Sequence, residues 1–323
     1  MEDIKFGILI PAYKKKFLSS AISSCLNQSY RNFELIIVND ASPENLDAVV
    51  SSFSDNRIKY YINEKNFGAL HVVDNWNKCL SYSDADYVIC MGDDDELMPE
   101  CLSVYYKLIC KFPGLGVYHG WTMLIDESDS MFDMQEHRPV FESCLSFLWH
   151  RWSCRYKQYV GDFCYDARLL RQDGGFFNLP MAWGSDDVTA VRACSGFSNG
   201  KEGIANTQQP VFKYRVNRLT ISKTGSVREK IEATTLEKQW YNFFLNEYCL
   251  KNELSGINTF YYKFIINSLN KHFELKYRIL LTRDLSVKST NYIYWVKNYS
   301  KLGLNVSQFL NCIVDSIKLR VHG

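Results

Sequence analysis

This 323-residue chain lacks several features that would assign it to a common protein class. Its 11 cysteines include no Cys-x-x-Cys pair, and several lie in apolar stretches, so we predict reduced thiols in a reducing compartment without a disulfide framework. No run of 18 apolar residues occurs, so no membrane span is expected. The start, MEDIKFGILIPAY, is acidic with too short an apolar run for a signal peptide. A formal net charge of +1 gives no general case for a nucleic-acid partner.

Apolar and aromatic residues, by contrast, are plentiful. They make up 46% and 15% of the chain, respectively, which is enough for a sizeable core. The charge is unevenly distributed: residues 251–323 hold 11 lysines and arginines against 4 acidic residues, a balance of +7, and residues 1–250 balance at −6. An acidic body followed by a basic, aromatic tail indicates two functional regions.

Strand and helix patterns alternate along residues 5–112. Buried strands are predicted at 5–13, 33–42, 57–63 and 86–92, and helices at 17–30, 43–53, 66–83 and 99–112. This alternation is typical of βαβ units, so we expect an α/β fold with a mostly parallel sheet flanked by helices. Residues 113–225 are less regular, with strands expected at 116–126 and 209–216.

Polar residues follow three of these strands. They are Pro11-Ala12-Tyr13, Asn39-Asp40-Ala41-Ser42 and Asp93-Asp94-Asp95. In open α/β sheets ligands bind at the carboxyl ends of the strands, so these groups should meet in one crevice. Clustered carboxylates are costly unless a cation neutralises them. Because Mg²⁺ commonly takes one or two carboxylates together with substrate phosphates, the cluster predicts a site for Mg²⁺ or Mn²⁺ and a diphosphate. A solvated acidic turn at a helix start is the alternative.

The segment ILIPAYKKKFLSSAISSCLNQSYRNFELIIVNDAS resembles the opening of the family 2 inverting glycosyltransferases. That family has Pro-x-Tyr after its first strand, a helix ending near Gln-Ser/Thr-Tyr and an acidic second strand end. NFGALHVVDNWNKCL resembles its Asn-x-Gly segment, ADYVICMGDDDELMPECL its Asp-x-Asp strand end, and DGGFFNLPMAWGSDDVTAV its Gly-Gly-Phe and Glu-Asp motifs. The resemblance covers about residues 5–225 and is specific as an ordered set of motifs.

The resemblance implies a GT-A (Rossmann-like) fold and a set of donor-binding residues. Asp40 matches the residue that hydrogen-bonds the pyrimidine base of a nucleotide-sugar, and Tyr13 matches a residue beside that base, although simple packing is its alternative role. Pro11, Asn66, Asp93 and Asp94 complete the implied nucleotide-binding set. The implied metal ligands are Asp95 and Asp93, for Mn²⁺ or Mg²⁺, and Asp94 can exchange roles with either.

The resemblance also implies a general base. Asp187 matches the catalytic Asp of the Glu-Asp motif, and Asp186 is the alternative; helix capping by one of them is compatible with catalysis by the other. The base would take the proton of an acceptor hydroxyl as it attacks the anomeric carbon with inversion. Trp183 and Gly175 are weaker candidates for acceptor contacts, and Trp183 fits buried packing equally well.

Three positions depart from the family pattern. Gly92 stands where the family has the first Asp of its acidic strand end, Asp74-Asn75 replaces an Arg-Asn pair, and Asp186 replaces the Glu of Glu-Asp. The segment YRVNRLTIS (214–222) resembles the family's closing Arg-x-His-x-x-Ser stretch, with Asn217 at the His position. Arg215 or Arg218 is therefore a candidate phosphate contact, with a solvated surface as the alternative.

Residues 226–323 lie outside the resemblance and are helical and aromatic in pattern. We expect a helical subdomain packed on a catalytic domain of residues 1–225, with Phe260, Tyr261, Tyr262 and Phe264 buried, because aromatics occur on more than one helical face. The alternatives are a membrane-surface segment and homo-oligomerisation through the same helices. A cytoplasmic location, with peripheral contact at the inner face of the cell membrane as an option, agrees with these features.

The sequence thus predicts a metal-dependent inverting glycosyltransferase of hexosyl or N-acetylhexosaminyl type. Its donor would be a nucleotide-diphosphate sugar, UDP-linked by resemblance, and its acceptor a glycan or lipid-linked sugar of surface polysaccharide biosynthesis. A nucleotidyltransferase is one rival, but PAYKKKF has lysines without the glycines of a phosphate loop. A non-catalytic nucleotide-sugar or glycan-binding protein is another, but it would lose either the metal or the base carboxylates.

Overall fold

Apolar runs form the strands where the sequence predicts them. A computed structural model of the chain describes residues 3–217, 226–252, 254–288 and 291–322. Every strand from the prediction is present, and β5, β7, β8 and β9 are additional. The strands are β1 (Phe6–Ala12), β2 (Phe33–Asn39), β3 (Ile58–Ile62), β4 (Tyr87–Cys90), β5 (Glu96–Leu97), β6 (Val117–Ile125), β7 (Met131–Met134), β8 (Phe141–Glu142), β9 (Phe163–Asp166) and β10 (Ile204–Arg215).

The strands form one mixed sheet in the order β3-β2-β1-β4-β9-β6-β10-β5, with β7 on β6 and β8 on β10. The first four strands of this order are parallel, as the βαβ pattern predicts. Beyond β4 the pairing is mixed: β9 is antiparallel to both β4 and β6, whereas β10 is parallel to β6. The α/β prediction is confirmed, but the sheet is mixed rather than mostly parallel: its parallel pairs are those of β3-β2-β1-β4 and the β6-β10 pair.

Helices cover the sheet and continue into the carboxyl-terminal region. They are α1 (Leu18–Leu26), α2 (Asp47–Val50), α3 (Val72–Tyr82), α4 (Cys101–Lys111), α5 (Cys144–Trp152), α6 (Ala167–Gln172), α7 (Ser185–Cys194), α8 (Val227–Lys251), α9 (Gly256–Val287), α10 (Tyr292–Asn298) and α11 (Val306–His322). The prediction of a helix at 43–53 with Pro43 in its first turn is wrong in its extent. Helix α2 begins at Asp47, where the Asn45 Oδ1 accepts a hydrogen bond from the Ala48 N–H at 3.0 Å.

The two faces of the sheet bury separate apolar layers. Alternate residues of β1 divide between them, since Leu9 belongs to one layer, and Ile8 and Ile10 to the other. Side chains of successive strand residues point to opposite faces, which accounts for this division. A strand buried on both sides is therefore mainly apolar: β1 has only apolar residues, and β2 is apolar except for Glu34 and Asn39.

The carboxyl-terminal helices share a core with the sheet. Buried Tyr241 and Phe244 of α8 and Ile265, Leu269 and Phe273 of α9 belong to the same layer as Leu9 of β1. A smaller separate core joins the end of α9 to α10 and α11. The proposed division at residues 225 and 226 marks the change from sheet to helices, but the packing across it is continuous.

The prediction that all four aromatics near Lys263 are buried is wrong for two of them. Phe260 is 69% exposed and Phe264 is 49% exposed, whereas Tyr261 and Tyr262 are partly buried against the main core. The core-facing positions of α9 are Ile265, Leu269 and Phe273, spaced four residues apart. Among the residues described, no helix has the length and apolar character needed to cross a membrane. All 11 cysteines are free thiols, as predicted.

Candidate active site

Three strand ends meet in one crevice, as the sequence predicts. The backbone N–H of Asp40, after β2, donates to the carbonyl of Ala12 at the end of β1 at 2.9 Å. The backbone N–H groups of Tyr13 and Lys14 donate to Oδ2 of Asp93, after β4, at 2.7 and 2.6 Å. Direct hydrogen bonds therefore join the β1 end to the β2 and β4 ends.

Asp40 lies on the wall of this crevice with its carboxylate held in place. Its side chain is 8% exposed, and its Oδ1 accepts from the Phe67 N–H at 3.0 Å and from Asn63 Nδ2 at 2.9 Å. Asn66 Nδ2 donates to the Asp40 carbonyl at 2.9 Å. The loop before α3 thus fixes both the backbone and the side chain of Asp40. Asn66 is close to Asp40, as the resemblance implies.

Tyr13 and Pro11 border the same crevice. The Tyr13 side chain is 42% exposed, while its carbonyl accepts from the Ser42 hydroxyl at 2.5 Å. Its backbone is therefore anchored and its ring is accessible. Pro11, which has no backbone N–H, lies in β1 beyond Leu9, the last residue of β1 that pairs with β4.

The acidic turn after β4 places its carboxylates at different depths. Asp95 is only 2% exposed, and its Oδ1 accepts from the Arg215 backbone N–H at 2.9 Å. Asp94 is half-buried, and its Oδ2 accepts from Asn217 Nδ2 at 2.5 Å. Asp93 is 7% exposed. Asp95 and Asp93 are thus both buried, and Asp94 is the more accessible carboxylate of the turn.

Burial and mutual repulsion raise the pKa values of two carboxyl groups in this turn. Burial, followed by the charge of Asp94, raises the pKa of Asp93 to about 6, against the opposing effect of the Lys14 and Tyr13 N–H groups. Burial and then the charge of Asp94 also raise the pKa of Asp95 well above its usual value. Carboxylates in this situation are stabilised by a nearby cation. The donor set therefore fits a divalent ion that binds together with phosphate oxygens.

Protein ligands alone do not complete a metal site in the described part of the chain, where no group of three or more His, Cys, Asp or Glu side chains could hold an ion. Gly92 has a structural role in the turn. A Cβ at this position would lie 2.7 Å from Asp94 Oδ1 and 2.9 Å from Asp95 Oδ2. A side chain there would displace both carboxylates, which accounts for a glycine where the family pattern has Asp.

Arg215 does not reach a phosphate, so this part of the prediction is wrong. Its side chain is fully buried; its Nη2 pairs with Glu96 at 2.7 Å, and its Nη1 pairs with Asp129 at 2.5 Å. Its Nε donates to the Asp94 carbonyl at 2.8 Å. Arg215 therefore holds the acidic turn against neighbouring loops. Arg218, the other candidate, lies outside the described residues.

Asp187 at the start of α7 is held in a bidentate ion pair. Arg151 of α5 donates from Nε and Nη2 to the two carboxylate oxygens at 2.9 and 3.1 Å, and Gln158 also donates to Oδ1. Burial acts to raise the pKa of Asp187, but the charge and hydrogen bonds of Arg151 outweigh it and hold the pKa below its usual value. A carboxylate paired in this way is a weak proton acceptor.

Asp186 beside it is half-buried and has no salt bridge within the described ranges, and the backbone N–H of Asp187 acts on its carboxylate as a hydrogen-bond donor. Burial, followed by the charge of Asp187, raises its pKa to about 7, while Arg151 acts in the opposite direction. The two neighbouring carboxyl groups thus differ in character. Asp187 is charged and paired, and Asp186 can gain or lose a proton near neutral pH.

The segment before these aspartates has unusual backbone geometry. Met181 and Ala182 have φ angles of 60° and 56°, a left-handed conformation that is costly for residues with a Cβ, and Gly184 has φ 89°. Trp183 is half-buried, and Lys230 Nζ of α8 lies 5.0 Å from its ring centroid. Trp183 therefore lies immediately before the Asp186-Asp187 pair, with a cation over its ring.

Gly175, the other acceptor candidate, is occupied by packing. Its φ is 85°, and a Cβ would lie 2.3 Å from Asn77 Oδ1. Its carbonyl accepts a hydrogen bond from Arg192. The geometry thus explains this glycine by a tight turn against α3, and its acceptor contact stays a prediction.

Tyr159 and Tyr214 connect the acidic turn to the Asp186 region. Their rings stack with centroids 3.9 Å apart. Burial and the charges of Asp95 and Asp94 raise the pKa of the Tyr214 hydroxyl, and Asp186 contributes to the same shift. Tyr214 therefore lies near both the acidic turn and Asp186.

Helices α8 and α9 support the base region from behind. Glu237 of α8 is 1% exposed, pairs with Lys276 of α9 at 2.5 Å and packs against Gly184. His272 of α9 stacks on Trp152, the residue after Arg151, with ring centroids 4.5 Å apart. The sequence reasoning missed these residues and Arg151 and Gln158, because they lie far along the chain from Asp187 and outside the motifs.

Curated relatives resemble part of this chain. The amylovoran biosynthesis glycosyltransferase AmsB of Erwinia amylovora is 35% identical in an alignment 188 positions long, which covers 53% of this chain and 62% of AmsB. The Escherichia coli protein named UDP-Glc:alpha-D-GlcNAc-diphosphoundecaprenol beta-1,3-glucosyltransferase WfgD is 32% identical over 112 residues, 34% of this chain and 43% of WfgD. The alignments thus span less than two thirds of these relatives.

Solved structures share the fold over nearly the whole chain. S. aureus TarS 1–349 in complex with UDP-GlcNAc matches with a TM-score of 0.58 and 16% identity, covering 98% of this chain and 81% of that one. The mannosyltransferase PcManGT from Pyrobaculum calidifontis in complex with GDP-Man and Mn²⁺ matches with a TM-score of 0.53 and 12% identity, covering 99% and 88%. At these identities the matches show the fold alone, and the predicted GT-A fold is confirmed.

The family model described as Glycosyl transferase family 2 matches residues 7–173, just over half of the chain. The matched range contains β1, β2 and β4, whose ends carry Asp40 and the acidic turn. This chain therefore belongs to glycosyl transferase family 2.

Proposed function

We propose that this protein is a metal-dependent inverting glycosyltransferase that uses a UDP-linked sugar to extend a glycan or lipid-linked acceptor in surface polysaccharide biosynthesis. The observation that carries the proposal is that hydrogen bonds join the strand ends of the acidic turn and Asp40, and that Tyr214 lies near both the acidic turn and Asp186. The relatives' names agree, since one includes UDP-Glc and diphosphoundecaprenol and another amylovoran biosynthesis.

The donor nucleotide would bind at the ends of β1 and β2. The Asp40 carboxylate, held by Phe67 and Asn63, would accept a hydrogen bond from the N–H of a uracil ring. The exposed Tyr13 ring would stack on that base, and Pro11 and Asn66 would shape its edges. Because the Asp40 carboxylate is already held in place, little conformational entropy is lost when it accepts a hydrogen bond from the base.

The diphosphate would bind over the acidic turn together with Mg²⁺ or Mn²⁺. We assign Asp94 and Asp93 as the carboxylates nearest the ion, and Asp95 as the residue that ties the turn to β10. This assignment modifies the one implied by the motif alone, which placed Asp95 on the metal. When bound, a divalent ion stabilises the negative charge that develops on the leaving diphosphate.

We assign the general base to Asp186. It would take the proton of the acceptor hydroxyl while that oxygen attacks the anomeric carbon from the face opposite the nucleotide, so that the configuration inverts. A base whose pKa lies near the working pH is unprotonated in a large fraction of molecules and is still basic enough to take the proton. Asp187 would remain charged beside Arg151 and keep the Asp186 pKa high. Trp183 would contact an acceptor sugar on the ring face away from Lys230.

Transfer itself is the test of the proposed function. Purified protein should release UDP from one member of a panel of nucleotide-sugars, in the presence of Mn²⁺ and a short-chain lipid-diphosphate sugar, and yield an acceptor longer by one sugar by mass spectrometry. The anomeric configuration of the new bond, read by NMR coupling constants, should be opposite to that of the donor. A product that retains the donor configuration would contradict the inverting mechanism.

UDP should raise the melting temperature more with Mn²⁺ than with EDTA. Asp94→Asn should remove most of this difference because it deletes the accessible carboxylate charge. Asp95→Asn is the matched control: it should lower the melting temperature of the free protein, since it weakens the tie to Arg215, yet keep part of the metal effect. Equal stabilisation by UDP in EDTA and Mn²⁺ would contradict metal binding at this turn.

The activity should depend on pH through Asp186. Its pKa of about 7 lies above the ordinary aspartate value, so the residue is protonated at lower pH and kcat should fall as pH drops below about 7. Arg151 lowers this pKa, so Arg151→Met should move the acid limb of the kcat profile to higher pH. An acid limb that stays in place in Arg151→Met would contradict the coupling.

A further inference from the structure

We propose that an exposed apolar ridge on α9 docks this protein on an anionic lipid surface beside the acceptor side of the crevice. This deepens the proposed function, on which it rests, by naming the surface through which a lipid-linked acceptor is reached. The ridge consists of Ile257, Phe260 and Phe264, which are 63%, 69% and 49% exposed. Their spacing of three and four residues places them on one helical face.

The ridge is attached firmly to α5. The Ser143 hydroxyl, which caps α5, donates to Asn258 Oδ1 at the start of α9 at 2.7 Å. Trp149 of α5 contacts the ring of Tyr261 at 5.2 Å and that of Phe264 at 6.0 Å between centroids. The ridge thus has a fixed position on the protein surface.

Helix α5 carries Arg151 two residues after Trp149. Arg151 in turn holds Asp187, the neighbour of Asp186. Residues two apart point to nearly opposite faces of a helix, so the ridge and Asp187 lie on opposite sides of α5, separated by about its 10–12 Å diameter. A surface bound by the ridge would therefore lie near the acceptor side, whereas the nucleotide site lies at the ends of β1, β2 and β4.

The charges around the ridge suit an anionic surface. Residues 254–273 include Lys263 and Lys271 and no acidic residue. Lys263 is exposed within the ridge, and the Arg155 guanidinium lies 4.6 Å from the ring centroid of Trp149. Aromatic side chains that enter the headgroup region, flanked by cations, are the usual composition of a membrane-surface helix.

A second exposed apolar stripe lies on α11, where Val306, Leu310, Val314 and Ile317 are between 49% and 59% exposed. Its charges fit an anionic surface less well. Lys318 pairs with Asp315, and the Arg320 side chain donates to the Leu285 and Ser286 carbonyls at the end of α9. This stripe therefore serves as the comparison in the test.

The test is flotation of the full-length protein with vesicles of phosphatidylglycerol and of phosphatidylcholine. We expect binding to the anionic vesicles, weakened by salt, and little binding to the neutral ones. The double variant Phe260→Ser/Phe264→Ser should bind at least about tenfold less tightly, because binding scales with inserted apolar area. The matched variant Leu310→Ser/Val314→Ser should bind as the parent does.

Several outcomes would overturn the assignment: no binding by the parent protein, unchanged binding by the α9 variant, or loss of binding in the α11 variant alone. Sedimentation velocity tests whether a second copy of this chain, rather than a lipid surface, binds the ridge. A parent dimer that becomes monomeric in the α9 variant would assign the ridge to a second copy. The variant should keep transfer to a water-soluble short-chain acceptor while losing transfer to a vesicle-embedded one. Vesicle binding without any transfer would instead contradict the proposed function, while the proposed docking of the ridge on an anionic lipid surface would still hold.

Discussion

Asp186→Asn should lower kcat by about 10²–10⁴-fold, the usual contribution of a general base. The substitution is nearly isosteric and removes only the ability to accept a proton. The residue lies at the start of α7 and makes no hydrogen bond or salt bridge, among the residues described, with Asp40 or Tyr13, to which we assign the base of the donor, so UDP binding should be almost unchanged. The measurement is single-turnover transfer from the donor that the panel identifies, beside UDP binding by calorimetry.

Asp187→Asn is the matched control at the neighbouring position. It removes the ion pair with Arg151 and the charge that raises the Asp186 pKa, so the acid limb of the remaining activity should move to lower pH. We expect a smaller loss of kcat than in Asp186→Asn, together with a lower melting temperature. An inactive Asp187→Asn beside an active Asp186→Asn would return the base to the residue that the motif implies.

The amino-terminal half of the fold could be predicted because its signals are local. Strand β1 and residues 35–38 of β2 are apolar runs, polar residues come directly after them, and a helix of regular spacing separates the two strands. The order of strands beyond β4 could not be predicted in this way. Strand β9 joins β4 and β6 by antiparallel pairing, and nothing in the period of a strand specifies a distant neighbour.

The candidate site divides in the same manner. Asp40, the acidic turn and the Asp186-Asp187 pair follow strands or open a helix, so sequence position indicates their place. The roles within each group depend on partners that sequence position does not supply. Arg151, 36 residues before Asp187, distinguishes the two aspartates, and the Arg215 backbone draws Asp95 inward.

The aromatics of α9 show why composition alone misjudged the tail. Aromatics on several faces suggest burial, yet a long helix can pack one face on the body and expose another. Ile265 and Phe273 face the shared core, whereas Phe260 and Phe264 face outward. The sequence shows which residues of α9 are hydrophobic. It does not show which of them are covered, because that depends on where α5 and α8 lie.

Phe273→Ala should destabilise the protein by about 3–5 kcal/mol, the usual cost of truncating a buried phenylalanine. Phe273 is fully buried, and its ring centroid lies 5.8 Å from that of Trp152 and 6.1 Å from that of Tyr241. The cavity would open beside Trp152, which is the last residue of α5 and directly follows Arg151. Transfer should therefore decline along with stability, although Phe273 is remote from the donor site.

Phe260→Ala on the same helix is the control for this effect. It removes the same atoms from a side chain that is 69% exposed, so its stability should change by no more than about 0.5 kcal/mol. Denaturation followed by tryptophan fluorescence compares the two variants with the parent. Equal small losses in both variants would mean that α9 is not part of the catalytic body's core. A large loss in Phe273→Ala alone would establish that the carboxyl-terminal helices and the sheet fold as one unit, as their shared apolar layer requires.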